Sequence, residues 1–489
     1  MRLSAFTRRG GLLGHRFEQA ASWPGFTRLG DQLWGIVAKA KLPPLLWVPA
    51  ATDGTLTPHM AHWFTAAFVV AVATHLALQL WLSTRQVREV ESKRDTVPGA
   101  FAAAVTAEEH RKAADYTVAR QRLGRLEMLA DALVLLGMTL GGGLAVVATQ
   151  VERLGPHGSL RHGVALMVCV VLLLGALGLP FSLWRTFVLE ERFGFNRTTV
   201  ATWIADLVKA LVLGGLLGGI VVAVVLWVMQ TAGPRWWLVA WAVWMTFSLV
   251  LLWAWPRWIA TLFNRFVPLQ DAGLRARIDA LLARCGFHAR DVYVMDGSRR
   301  SAHGNAYFTG LGREKRIVFF DTLLQSLSPV QVEAVLAHEL AHFKLRHVPQ
   351  RLVVSGLVSL AGFALLGWLA QQPWFYDALG VTQPSDAAAL LLFMMVLPAF
   401  TWVFTPLAAA WSRKHEYEAD AFAARHSDGP ELARALVNMY RENASPLTPD
   451  PLHSAFYDSH PPPVARIARL APGLGPWPSP AARTSGIAT

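Results

Sequence analysis

The segment HELAH, His338 to His342, sets two imidazoles four positions apart with Glu339 directly after the first. On a helix that spacing puts both histidines on one face, one turn apart. Two neutral imidazoles so placed can grip one zinc ion, and the adjoining glutamate can take a proton from a water held there. The bland alternative is a helix whose histidines are satisfied by neighbours. A catalytic zinc needs three protein ligands with one position left open, so HELAH is two-thirds of a site. The pattern that continues to a third histidine fails, because Leu345 stands where a glycine is required and Val348 where the histidine is required. A carboxylate from a second helix is the other route, and WSRKHEYEADAFAARH offers Glu416, Glu418 and Asp420. Glu416 and Asp420 share a face of that helix, whereas Glu418 points roughly the opposite way. Taken alone, this stretch also reads as a solvated, charged helix end.

The elements that must carry these groups are also legible. Ser328-Pro329-Val330-Gln331 supplies an N-cap hydroxyl, a proline at the first helical position and a capping-box glutamine, so a helix starts there and runs through HELAH. Upstream, a helix over Ala272–Arg284 and a strand over Val292–Met295 are followed by two more strands, NAYFT and RIVFF. These belong to the largest polar segment of a chain that is otherwise apolar.

Of 489 residues, 53% are hydrophobic and only 16% charged, far from the soluble balance of roughly 25% charged. Runs of the ~20 residues needed to cross a bilayer occur near His62–Ser83, Leu126–Ala148, Gly163–Thr186, Ala201–Met229, Trp236–Trp255, Leu352–Ala370 and Ala387–Ala410, giving about seven spans. Tryptophans cluster at their ends, as amphipathic rings do at the headgroup level. The net charge of +12 is concentrated in the loop from Arg85 to Arg125 and in the segment Arg257–Gln350, while Gln371–Asp386 has no Lys or Arg. Topology explains this better than nucleic-acid binding, and the basic segments are read as cytoplasmic. The two cysteines, Cys169 in a span and Cys285 in the polar segment, do not suggest a disulfide framework. His75, Asp131, Asp206 and Lys209 lie within or near spans, where ionisable groups often face a cavity; Asp206 and Lys209 can also pair with each other.

HELAH, the EYEAD run, MDGSRRSAHGNAYFTGLGREKRIVFFDTLL, EERFGFNRTT, HRKAADYTVARQR and SHPPPVARI, in this chain among about seven spans, closely resemble the type I CAAX prenyl proteases. These are integral-membrane zinc metalloproteases. The resemblance runs from about Met60 to Leu470 and is far more specific than HExxH. It implies a mainly α polytopic fold, with transmembrane helices around a chamber and a small α+β protease cap. It also implies one Zn2+ per chain held by His338, His342 and Glu416, with Glu339 as the catalytic glutamate and Asp420 orienting a ligand histidine. His303, His347 and His415 flank the site as non-ligands. Within SHPPPVARI, His460 and Arg466 are candidate donors toward the oxyanion, although dense prolines also mark an ordinary turn. Asn305 and Ala306 are candidates for holding an extended peptide by strand addition at a free sheet edge; otherwise NAYFT is a plain hairpin strand.

The reading is a zinc endopeptidase cleaving near the C-termini of membrane-associated or prenylated, CAAX-like polypeptides. Its partners are a peptide or membrane-protein substrate and the lipid bilayer, with no nucleic acid. The alternatives are a membrane quality-control protease of the HtpX type and a non-catalytic membrane-protein binding factor. The chain divides into a poorly ordered N-terminal extension (1–60) that is either dispensable or an over-extended start, a membrane region with five spans (61–256), a soluble protease segment (257–350), spans six and seven (351–410), a third-ligand helix with the His-Pro motif (411–475) and a tail (476–489). Arginine outnumbers lysine and alanine abounds, which points to a bacterial inner membrane, with the protease segment and the C-terminus cytoplasmic. In that setting prenylated substrates are not expected.

Overall fold

The computed structural model describes residues 56–287, 291–309 and 316–471. The expected N-terminal extension up to residue 55, and the tail, lie outside these. The first helix, α1 (Leu56–Ser92), has 37 residues, which at 1.5 Å per residue is about 55 Å. That exceeds the ~30 Å hydrocarbon core, so its charged C-terminal end projects beyond the membrane. There it packs along α2 (Ala107–Met138). A capping box starts α2: Glu109 N donates to Thr106 Oγ1, and the Glu109 carboxylate accepts from Thr106 N at 2.8 Å.

The expected second span is broken. After Met138 the run Gly141-Gly142-Gly143 intervenes, Gly142 takes φ +74°, and α3 (Gly143–Val151) continues at 59° to α2. A left-handed conformation is open to glycine at little cost, which is why the chain turns here. The next rods are α4 (Leu160–Trp184), α5 (Val200–Thr231) and α6 (Trp236–Ala254). Then, after the polar segment, comes α9 (His347–Leu369). Among the described residues six helical stretches are long and apolar enough to cross a membrane, or seven counting the bent pair.

In the most apolar 18-residue stretches of α4 and α5 only 17% of residues are buried, although mean hydropathy is 2.7. Side chains such as Val212, Leu216, Ile220 and Val358 are exposed. So much apolar surface is untenable in water and fits lipid. Two adjoining cavities of about 250 and 330 Å³ share Asp131, Leu135 and Met395; the first lies between α1, α2 and the Pro398 region, the second between α2 and α4. His75, Gln79 and Asp131 are the polar residues of the first, whose other lining residues are apolar, so His75 and Asp131 face a cavity, as ionisable groups within spans often do.

The cap contains a four-stranded sheet of order β1-β2-β4-β3: β1 (Phe266–Pro268), β2 (Asp291–Met295), β3 (Ala306–Thr309) and β4 (Arg316–Phe320). β2 and β4 run parallel and the outer pairs antiparallel. β1 was not anticipated, because three residues ending in proline carry no alternation. β3 is an edge strand, and Asn305 precedes it rather than belonging to it: its carbonyl accepts from Phe320 N and its side chain caps Ala306 N. Over the sheet pack α7 (Ala272–Cys285) and α8 (Pro329–Lys344), which begins with the expected capping box at Ser328 and Gln331.

The stretch expected as the last span is a helix, α10 (Asp386–Val396), then a break around Pro398, then α11 (Thr405–His426). Prolines remove ladder hydrogen bonds and permit such breaks. α11 therefore leaves the apolar region and enters the cap, where it packs on α8. Further helices of the cap are α12 (Gly429–Glu442), α13 (Pro451–Tyr457) and α14 (Pro463–Leu470). Arg85 of α1 holds Asp450 at 2.8 Å, and Gln86 accepts from Asp450 N at 2.7 Å. The C-terminal segment is thereby fastened to the end of α1 that leaves the membrane.

Candidate active site

α8 is buried on nearly all sides: Val332, Leu336, Leu340 and Ala341 are among its fully enclosed residues. Each large aliphatic side chain so buried contributes roughly 1.5–3 kcal/mol, so the helix is held firmly enough to fix what it presents. It turns His338 and His342 toward Glu416 on α11. His338 Nε2 lies 3.3 Å from Glu416 Oε2, and His342 Nε2 lies 3.5 Å from Glu416 Oε1. A ligand atom from each of the three residues falls within 4.8 Å of the others. Two ligands at ~2.0–2.1 Å from a tetrahedral ion stand about 3.3–3.4 Å apart, so the spacing suits a small divalent metal.

The electrostatics favour the same conclusion. Glu416 is buried, and its Oε2 has no hydrogen-bond partner although His338, His460 (3.4 Å) and Arg466 (4.0 Å) surround it. A buried carboxylate oxygen left unsatisfied is costly, and a cation resolves the deficit. Burial opposes charge on His338, but Asp420 and Glu416 outweigh it and raise the imidazole to about 9. His342 is driven the other way, to about 3, by burial and then by the charge on His338. A cation held among these groups would supply the positive charge that the two buried carboxylates otherwise draw onto His338. Burial also pushes the Glu339 carboxyl above the usual glutamate range, against the pull of His338 and Arg466.

Asp420 stands behind His338: its Oδ1 is 2.9 Å from His338 Nδ1, close but off the N–H direction. On its other side Asp420 accepts from Arg466 Nε at 2.8 Å and Nη2 at 2.5 Å. Arg466 is itself buried, and burial alone would disfavour its charge; Asp420 overrides this and raises its pKa. Nε and Nη2 of the guanidinium are therefore engaged by Asp420, while His460, its side chain 62% exposed, is the freer donor at the rim.

Asn305 and Ala306 sit at the start of edge strand β3, which packs against α8. The loop leading into β3 is anchored by a cluster whose role the sequence did not disclose. Tyr116 Oη donates to Glu190 at 2.6 Å, and His303 Nε2 is 3.5 Å from the other Glu190 oxygen. His303 Nδ1 meets Asn443 at 3.2 Å, and Gly304 N donates to the same Asn443 oxygen. The motifs around Tyr116, Glu190 and His303 thus converge to hold one strand. Asp206 does lie 3.5 Å from Lys209, but its closer partner is Arg300, at 2.8 and 3.1 Å.

Sequence reasoning named His347 and Glu418 but did not foresee that they meet. His342 Nδ1 and His347 Nδ1 are 3.0 Å apart, and His347 Nε2 is 3.0 Å from Glu418 Oε2. A helix stop at Arg346, with φ 60°, makes this contact, and no glycine marks it in the sequence.

Residues 86–265 match the family described as CAAX prenyl protease N-terminal, five membrane helices, and residues 268–472 match peptidase family M48. The CAAX prenyl protease 1 homolog of Arabidopsis thaliana is 32% identical over 400 residues, covering 80% of this chain and 94% of that protein. CAAX prenyl protease 1 of Saccharomyces cerevisiae is 34% identical, covering 63% of this chain and 72% of that protein. The crystal structure of S. mikatae Ste24p superposes with a TM-score of 0.78 at 27% identity, covering 83% of this chain and 98% of that one.

Proposed function

The chain belongs to the CAAX prenyl protease family of M48 metallopeptidases, and from that premise we propose how its residues carry out the reaction and on what. It is a multi-pass membrane metalloendopeptidase. In this reading the metal is zinc, one per chain, held by His338, His342 and Glu416. The observation that carries it is the convergence of two Nε2 atoms on a buried carboxylate whose Oε2 has no hydrogen-bond partner.

A bound zinc supplies Lewis acidity that stabilises negative charge developing on oxygen during hydrolysis. Glu339, its carboxyl already shifted toward proton uptake by burial, takes the proton of the attacking water and returns it to the leaving amine. His460 donates to the substrate carbonyl oxygen as its charge grows. Asp420, steadied by Arg466, orients His338. The peptide lies extended along the outer edge of β3 at Asn305 and Ala306, forming backbone hydrogen bonds of the strand-addition kind. In this reading the described residues within 257–350 and 411–471 make up the catalytic cap, and 61–256 with 351–410 the membrane body.

The substrates are peptide segments near the C-termini of membrane-associated polypeptides, including prenylated CAAX-like ones, as the names of the relatives suggest. The cap and the C-terminal segment face the cytoplasm, in keeping with the basic residues at the emergent ends of α1 and α2. Purified full-length protein should cleave a farnesylated C-terminal peptide in a chelator-sensitive way, with activity restored by zinc. Cleavage that persists after complete removal of metal would exclude this function.

A further inference from the structure

We propose that Glu418 and His347 are positioning residues for His342, forming a carboxylate–imidazole relay that fixes the tautomer and ring plane of this second histidine. The proposal rests on the reading above that His342 is a metal ligand.

The geometry is specific about where the protons lie. Glu418 can only accept at neutral pH, so the 3.0 Å contact to His347 Nε2 places a proton on that nitrogen. In neutral His347, Nδ1 is then a lone pair, and it accepts from His342 Nδ1–H across 3.0 Å. His342 Nε2 is left as a lone pair on the side facing Glu416, the tautomer that ligation through that nitrogen requires. Histidine ligands commonly donate their other N–H to a carboxylate or carbonyl; here the carboxylate acts through an interposed ring.

That ring is held on every side. His347 is 1% exposed, and His415 stacks flat on it, with centroids 4.0 Å apart and planes within 7°. Trp411 packs edge-on against His415, whose Nε2 meets Gln350 at 3.1 Å. The backbone is bent to bring it there: Arg346 between α8 and α9 adopts a left-handed conformation, which is unfavourable for a residue with a Cβ. Helix α8 stops two residues early enough for His347 to fold back onto His342.

His347, His415 and Glu418 also fall within 4.8 Å of one another, as a second metal site would. The ring geometry opposes it. Imidazole lone pairs lie in the ring plane, and two stacked, nearly parallel rings do not aim theirs at a common point. Both His347 nitrogens are in any case engaged.

The test uses full-length protein in detergent, loaded with zinc and titrated against a chromogenic chelator, with zinc per chain measured alongside. Glu418→Ala and His347→Ala should each still bind one zinc, but about 10–100-fold more weakly. The double variant should be no weaker than His347→Ala alone, since Glu418 acts through that ring. Glu418→Gln should recover most of the loss, because its amide oxygen still accepts from His347 Nε2–H. Glu418 is half-exposed, so its variants probe the relay without opening the buried core. Wild-type affinity in Glu418→Ala, or additive losses in the double variant, would overturn the relay. A second zinc lost on His415→Ala would overturn it in favour of a second metal site. Undiminished binding in His342→Ala would instead overturn the ligand assignment on which the relay rests.

Discussion

Arg466 and Asp420 form a fully buried, two-pronged ion pair, Nε to Oδ2 at 2.8 Å and Nη2 to Oδ1 at 2.5 Å, directly behind His338. The pair joins α14 to α11 and so ties the C-terminal segment to the metal-binding cluster. Removing one member leaves the other charged and enclosed. Arg466→Ala should therefore destabilise the cap by about 3–5 kcal/mol, read from chemical denaturation followed by tryptophan fluorescence in detergent. A change under about 1 kcal/mol, the level of an exposed pair, would show that the pair is not structural.

The three carboxylates on α11 should separate by rank. Glu416→Ala should abolish zinc binding at ordinary concentrations, whereas Asp420→Ala should retain it at about 10–100-fold lower affinity. Zinc content measured on the purified variants distinguishes them. A zinc-replete Glu416→Ala beside a zinc-free Asp420→Ala would reverse the assignment. Glu418 does face away from Glu416, as helical geometry requires, but it reaches His347, so it has an effect that spacing along one helix gives no reason to expect.

That contrast marks how much was legible beforehand. HELAH, its capping box and the apolar runs are local patterns, and local patterns survive folding: α8 starts at the expected cap, and the helices fall where hydropathy places them. Local pattern also indicated that Glu416 and Asp420 share a face. The relay through His347 was hidden because it depends on a helix stop made by a left-handed arginine, which propensity does not mark. The cluster of Tyr116, Glu190, His303 and Asn443 was hidden for a different reason. Its members are 74 to 140 residues apart in pairs, and only tertiary packing brings them together. The broken second span was concealed by composition, since Leu126–Ala148 is apolar apart from Glu127 and Asp131, and the three consecutive glycines permit a turn without requiring one.

The helix that presents HELAH depends on its first turn. Ser328 Oγ accepts from Gln331 N, and the Gln331 side chain accepts from Ser328 N at 3.2 Å. Ser328→Ala should cost about 1 kcal/mol of stability, seen as a lowered melting temperature with the zinc stoichiometry unchanged. No shift in melting would mean that packing alone sets the helix start.

Orientation is open to a direct check. A reporter active only in the cytoplasm should give signal when fused after Arg125 or after Leu470, and none after Gln371. Signal at Gln371 with silence at Arg125 would place the cap on the opposite face of the membrane.

The central claim is that Glu339 is the base of a hydrolytic site whose metal is held by other residues. The measurement that tests it most directly is the zinc content and peptidase rate of Glu339→Gln, compared with wild type in the same detergent. The substitution keeps the shape and removes the base. The variant should bind one zinc per chain with unchanged affinity and lose at least about 10²-fold in rate, the range ascribed to a positioned general base. A Glu339→Gln protein that holds its zinc and cleaves within about tenfold of the wild-type rate would contradict the account, since proton transfer by a positioned base contributes more than that.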